Sequence, residues 1–196
     1  MKATVAPIFA LVIAACASTS PAPPAATGPD AATADAAVAH PDSGAFQLTS
    51  TAFTDNGTMG AEYTCDSEAG AGHSPPLAWT GAPAGTTEFA LLATTLAKDG
   101  LKWNWVVYGI PAATTHLDVG STGVGTTGIT SDGPALAYAP PCSQGPGLKT
   151  YTFTLYALSG PPMLPAPASQ VTGAVLTAAI ASLTLGSSAI TAGYTR

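Results

Sequence analysis

Short segments rich in β-branched and aromatic residues, separated by turn signals, recur along residues 46–196 and limit the possible folds most narrowly. These segments are 46–52, 77–80, 88–95, 102–110, 150–158 and 189–194. Turn-forming stretches such as Lys98-Asp99-Gly100 separate them at spacings that suit hairpins. The pattern predicts a mostly β domain, built as an antiparallel sandwich or a barrel-like sheet.

Residues 169–183 follow a different period. Apolar residues recur there every four positions, at Val171, Val175, Ala179 and Leu183. This spacing is typical of a helix. Ser169 is placed to cap the first turn, and Gly186 follows as a stop signal. We therefore expect one late helix near the C-terminus.

The first fifteen residues have the pattern of an export signal. Lys2 gives a positive start, and residues 5–15 form an apolar run that is too short to span a bilayer. Ile13-Ala14-Ala15-Cys16 resembles the bacterial lipobox, which implies that Cys16 becomes the acylated first residue. The alternative is a plain secretory signal cut nearby. No Asp follows Cys16, which favours an outer-membrane lipoprotein of the bacterial envelope, facing the periplasm or the surface.

Residues 16–45 are dominated by alanine and proline and contain almost no branched aliphatic residue. Such a segment cannot bury enough apolar surface to offset the entropy lost on ordering. We expect a disordered tether that holds a folded head away from a membrane. The predicted organisation is therefore a signal peptide over 1–15, a tether over 16–45 and a folded domain over 46–196.

Composition excludes several function classes. Only 8% of residues are charged, and the formal net charge is -6. No basic patch is available to neutralise phosphates, so nucleic-acid binding is not expected. The Gly-rich run at 123–128 is followed at once by Gly133-Pro134, which breaks any helix that could hold a dinucleotide, and no cofactor is expected.

Two cysteines, Cys65 and Cys142, lie within the predicted domain. An exported protein meets an oxidising compartment, so these residues can pair as a disulfide. The alternative is two buried free thiols. His73 and His116 have no spacing that matches a known zinc pattern, so no metal site is expected.

An ordered series of motifs runs through the predicted domain. It comprises Tyr63-Thr-Cys65-Asp66, Ser74-Pro75-Pro76-Leu77-Ala-Trp79, Trp103-Asn-Trp105-Val-Val-Tyr and Gly147-Leu-Lys-Thr-Tyr151. Together these motifs resemble the phosphatidylethanolamine-binding protein family, in its bacterial Raf-kinase-inhibitor-like branch, over nearly all of residues 46–196. The resemblance implies an antiparallel β-sandwich with a small pocket at one end that binds phosphate-like or carboxylate anions.

The residues that correspond to the family's pocket have changed chemistry. Where the family has Asp-Pro-Asp-Ala, this chain has Thr94-Thr95-Leu96-Ala97, and Asn104 replaces the His before Trp105. The His-Arg-Tyr triplet has become Lys149-Thr150-Tyr151. The resemblance thus implies a ligand site whose members are Thr95, Asn104, Lys149, Tyr151 and Trp105. Lys149 supplies a positive charge in place of the family's His.

The family's acidic and histidine groups are absent from this site, so it contains no evident general base, and the protein is not expected to be an enzyme. We expect a non-catalytic envelope lipoprotein whose head binds a small anionic ligand or a phospholipid head group. The alternative is a protein-interaction or protease- or kinase-inhibitor-like module with an inert pocket and a partner in the envelope.

Overall fold

The computed structural model describes residues 44–68 and 72–196. The predicted signal peptide, the lipidation residue Cys16 and the predicted tether up to residue 43 lie outside the described residues. Within these residues, the chain forms nine strands and one α-helix. They are Gln47–Thr49 (β1), Gly57–Thr58 (β2), Leu77–Thr80 (β3), Glu88–Ala97 (β4), Gly100–Pro111 (β5), His116–Leu117 (β6), Thr126–Thr127 (β7), Leu148–Leu158 (β8), Gly173–Ile180 (α1) and Thr184–Thr195 (β9).

The strands form two sheets. The small sheet has the order β1-β3-β6, and the large sheet has the order β2-β9-β8-β4-β5-β7. Neighbouring strands are antiparallel except for the short β2–β9 pair, which is parallel. The predicted mostly β, antiparallel fold is confirmed. The four long strands of the large sheet run further than predicted, and the two-residue strands β2, β6 and β7 were not predicted.

The main core lies between the two sheets. Alternate residues of β4 and β8, including Phe89, Leu91 and Leu155, are buried in one cluster with Leu77 and Trp79 of the small sheet. The rings of Trp79 and Phe89 meet edge-on at 5.4 Å. Burial of these large side chains is the main term that holds the sheets together.

A second core covers the opposite face of the large sheet. Leu176 and Ile180 of α1 pack there with Leu92 and Val106. Gly173 at the start of α1 permits this close approach, because a Cβ at that position would lie 1.8 Å from the Trp103 ring. The eight-residue α1 is the longest helix that the described residues contain, and no helix among them is long and apolar enough to cross a membrane.

The helix is shorter than predicted, and the predicted cap at Ser169 is wrong. Thr172 is the N-cap, and its Oγ1 accepts a hydrogen bond from the Val175 amide at 3.2 Å. Val171 is buried, but its carbonyl accepts from the Ile129 amide at 2.8 Å instead of from within a helix. The predicted stop, Gly186, lies in β9.

Candidate functional site

A cavity of about 520 Å³ opens at the end of the large sheet where β4 turns into β5. Its walls come from the end of β4, the start of β5, the start of β8 and the loop that precedes β8. Four of the five predicted site residues line this cavity, namely Thr95, Asn104, Lys149 and Tyr151. The residues that the sequence singled out on separate strands therefore converge on one concave surface.

Strand register explains the convergence. Thr95 pairs with Tyr151 on β8 and with Lys102 on β5. Paired residues on neighbouring strands present their side chains on the same face of a sheet. Lys149 precedes Tyr151 by two positions and so lies on that face as well. Three adjacent strands thus contribute polar groups to the same end of the sheet.

Lys149 carries an unpaired charge at the cavity. Its side chain is half-buried, and among the described residues no carboxylate lies within ion-pair distance of it. Lys102 differs, because its ammonium lies 2.6 Å from the Asp99 carboxylate. The hydrogen bond from Lys102 lowers the pKa of Asp99, so that carboxyl stays ionised and paired. Lys149 is therefore the better-placed cation for an incoming anion.

Asn104 joins the cavity floor to the loop beside it. The residue is only 5% exposed, and its Nδ2 donates to the Ala139 carbonyl at 3.1 Å. The Ala139 amide in turn donates to the backbone oxygen of Asn104 at 2.7 Å. Because the Ala139 carbonyl can only accept, the amide group is oriented with its nitrogen toward the loop. The Asn104 Oδ1 is buried and has no partner among the described residues.

Tyr151 and Thr95 offer different groups to a ligand. Burial is the main cause that raises the pKa of the Tyr151 hydroxyl, so this group stays protonated and can donate a hydrogen bond. The Thr95 Oγ1 already donates to the Thr150 carbonyl at 2.8 Å. Because the hydroxyl proton of Thr95 is engaged in this hydrogen bond, Thr95 can offer a ligand only an acceptor. Of these two hydroxyls, Tyr151 is the one suited to an anion.

Trp105, the fifth predicted site residue, does not line the cavity. Its ring is buried in the main core and meets Tyr138 edge-on at 5.6 Å. A register irregularity explains this placement: Ala93 pairs with Trp105 and the next residue, Thr94, pairs with Trp103. Asn104 is the extra residue of this bulge, which directs Trp105 into the core while Asn104 borders the cavity. Trp105 is therefore a core residue next to the cavity-lining Asn104.

Several lining residues were not predicted as site residues. Lys98 and Asp132 lie in stretches that the sequence identified only as turn or loop signals, and Lys102 begins the predicted strand 102–110 but was not assigned to the site. With Lys149, they bring all three lysines of the described residues to this cavity. The one sequence signal for this placement of the lysines is the Lys98-Asp99-Gly100 turn, because it follows a strand that ends in predicted site residues.

The disulfide Cys65–Cys142 anchors one wall. The two Cα atoms are 5.2 Å apart, as the predicted pairing requires. The Cys65 amide also donates to the Pro141 carbonyl at 3.0 Å. Residues 142–146 all line the cavity, and the disulfide ties the start of this run to the body of the domain.

Few side chains at the cavity could bind a metal ion or act as a general base. Across residues 44–68 and 72–196, no three or more His, Cys, Asp or Glu side chains are clustered so that they could hold a metal ion. Neither His73 nor His116 lines the cavity. The arrangement can hold an anion through the Lys149 ammonium and the Tyr151 hydroxyl, and the cavity lining that the structure describes includes no histidine for proton transfer.

Comparison with known proteins gives consistent matches. A family model described as phosphatidylethanolamine-binding protein matches residues 49–195. A Mycobacterium tuberculosis protein named "Putative lipoprotein LppC" is 33% identical over 156 residues, which is 79% of this chain and 76% of that protein. A UPF0098 protein of Methanothermobacter thermautotrophicus is 35% identical over 119 residues, 58% of this chain and 76% of that protein.

A solved structure shares the fold. The crystal structure of E. coli YbcL, titled a new member of the mammalian PEBP family, superposes with a TM-score of 0.68 at 25% sequence identity. The match covers 77% of this chain and 98% of that one. The two sheets and the late helix described above therefore recur in a relative of known structure.

Proposed function

Because the chain belongs to the phosphatidylethanolamine-binding protein family, in its bacterial branch, we propose that it is a non-catalytic envelope lipoprotein whose head binds a small anionic ligand. The ligand class is phosphate-like, either a free anion or a phospholipid head group, and it occupies the cavity beside Lys149. A volume of about 520 Å³ is ample for a group of this size.

The observation that carries this proposal is the unpaired ammonium of Lys149. A half-buried cation without a counter-ion among the described residues is a favourable partner for an anion, because charge-assisted hydrogen bonds are stronger than neutral ones. The Tyr151 hydroxyl, kept protonated by burial, supplies a second donor on the same wall.

A binding role without catalysis is supported by the other groups at the cavity. Asp99 is held in an ion pair with Lys102, which leaves it a weak base. Asp132 is exposed at the cavity rim, and neither described histidine reaches the cavity. A general base must lie within hydrogen-bond reach of the proton it removes, and the floor around Asn104 and Tyr151 offers none.

The proposed location is the bacterial outer membrane, with Cys16 as the lipid attachment residue. The lipobox-like Ile13-Ala14-Ala15-Cys16 supports lipid attachment at Cys16, and so does the name of the mycobacterial relative; the absence of Asp after Cys16 favours the outer membrane. The anchor would keep the head near membrane lipids, whose head groups belong to the proposed ligand class.

Isothermal titration calorimetry of the full-length protein with inorganic phosphate and with glycerol 3-phosphate tests the binding role. The matched variants are Lys149→Ala and Lys102→Ala, which remove the same charge from the same cavity. Lys149→Ala should weaken binding at least about tenfold, because it removes the half-buried cation without an ion-pair partner among the described residues, whereas Lys98 is exposed. Lys102→Ala should weaken it by less than about threefold, because Asp99 already neutralises that lysine.

Absence of any binding heat for wild type, or equal losses in the two variants, would contradict the proposal. The first result would favour the alternative of a protein-interaction or inhibitor-like module with an inert pocket. The second would mean that the anion senses only the total charge of this end of the domain.

A further inference from the structure

Three neighbouring strands of the large sheet end in the same chemical pattern. Each presents one exposed leucine with a lysine next to it or two residues away. The pairs are Leu96 of β4 with Lys98 in the turn that follows it, Leu101 with Lys102 on β5, and Leu148 with Lys149 on β8. We refer to these six residues as the leucine–lysine edge.

Strand register shows that these pairs are neighbours in space. Leu96 and Leu101 are Cα partners across β4 and β5. The pairing of Thr95 with Tyr151 brings the start of β8, and with it Leu148, to the same end of the sheet. Because side chains alternate along a strand, Leu101 and Leu148 lie on the face opposite to Lys102 and Lys149, and the two sets border the same end of the sheet.

Solvent reaches at least half of the surface of each leucine in the leucine–lysine edge. Leu96 is 73% exposed, Leu101 is 50% exposed and Leu148 is 68% exposed. Isolated exposed leucines are ordinary on protein surfaces. A group of three at one sheet end, beside the mouth of a cavity, is the kind of apolar patch that marks an interaction site.

The positive charge of the leucine–lysine edge indicates what kind of partner it binds. All three lysines of the described residues belong to the leucine–lysine edge, although the whole chain has a net charge of -6. The cavity lining includes Asp99, which is paired with Lys102, and the exposed Asp132. Beside Leu148 the chain also brings Arg196, which is paired with Asp66. Lys98 and Lys149 keep no ion-pair partner among the described residues, so the edge complements a negatively charged surface.

We propose that the leucine–lysine edge docks the domain on an anionic phospholipid bilayer. The leucines enter the boundary between head groups and acyl chains, and the lysine ammonium groups remain at the level of the lipid phosphates. Each basic residue near such a surface adds to the attraction. The mouth of the cavity then faces the membrane. This surface borders the proposed anion site and shares Lys149 with it, but docking through the leucines does not require an anion to be bound in the cavity.

An environment-sensitive fluorophore can report docking locally. The full-length chain carries Cys16→Ser in every arm, so neither acylation nor labelling at that residue contributes. Bimane is attached through Thr150→Cys, which lies two residues from Leu148, or through Ser159→Cys, just beyond the opposite end of β8. Vesicles are pure phosphatidylcholine, or phosphatidylcholine with about one quarter phosphatidylglycerol to supply anionic charge.

The expected result is a blue shift of the label at residue 150 with anionic vesicles, reduced by salt, and no shift at residue 159. Leu96→Ser with Leu101→Ser should raise the lipid concentration at half-maximal shift at least about tenfold. The control, Met163→Ser with Leu185→Ser, removes two exposed apolar residues outside the edge, 96% and 43% exposed, and should change that lipid concentration by less than about twofold. Urea unfolding of each variant verifies that it is folded.

Equal shifts at residues 150 and 159, no shift with anionic vesicles, or equal effects of the two double variants would overturn the proposal. A lipid-free dimer that Leu96→Ser with Leu101→Ser dissociates would instead assign the edge to a second copy of the chain. Phosphate calorimetry on the same wild-type protein separates the two proposals, because docking can succeed where anion binding fails and the reverse.

Discussion

Replacing both cysteines of the Cys65–Cys142 disulfide should strongly destabilise the domain. The bond joins residues separated by 77 positions, and chain-entropy theory assigns a cross-link of this span about 4.5 kcal/mol of stabilisation. For a domain of this size, that corresponds to a fall in melting temperature of roughly 10–15 °C. Cys65→Ser with Cys142→Ser removes the bond without leaving a free thiol.

Urea unfolding followed by circular dichroism, at matched pH and temperature, measures this difference in the free energy of unfolding. Reduced wild type should agree with the double variant, and reductant should leave the double variant unchanged. The reasoning fails if the double variant loses less than about 1 kcal/mol, since the native contacts around the wall at 142–146 would then hold without the cross-link.

Three further predictions concern other parts of the chain. Gly173→Ala should destabilise the domain by about 1–3 kcal/mol, because its Cβ would overlap the indole packed against α1; Gly160→Ala, in open space, should be nearly neutral in the same urea assay. Hydrogen bonds from Thr191 lower the pKa of Asp55 below 3.8. The stability that this carboxylate contributes is therefore present above pH 3.8 and lost as the pH falls through the lowered value. The stability difference between wild type and Asp55→Asn should shrink from pH 6 to acid, and an unchanged difference would contradict the assignment. Cys16→Ala should abolish incorporation of labelled palmitate in bacterial cells, and incorporation equal to wild type would refute the lipobox interpretation.

The fold could be predicted from the sequence because apolar and polar residues alternate along its long strands. The predicted segments 88–95, 102–110 and 150–158 all lie within observed strands. The two-residue strands β2, β6 and β7 are too short for any periodicity to register. The start of the helix was misplaced because Val171 is buried in the second core although it precedes the helix, so its apolar side chain fitted the helical spacing.

The site was predictable where it depends on strand position and not where it depends on turns. Thr95, Lys149 and Tyr151 follow from the family resemblance and the pleat of two paired strands. Trp105 was assigned to the site because a bulge cannot be read from one sequence. The contribution of Lys98 was missed, because a turn signal does not say which cavity the turn borders.

An NMR titration of the full-length protein with inorganic phosphate would test the central claim most directly. If the anion binds beside Lys149, backbone amide signals of the non-proline residues in 142–151 should shift together and saturate, and Lys149→Ala should raise the phosphate concentration at half-saturation at least about tenfold. Saturable shifts confined to another part of the domain, or an undiminished response in Lys149→Ala, would contradict an anion site in this cavity.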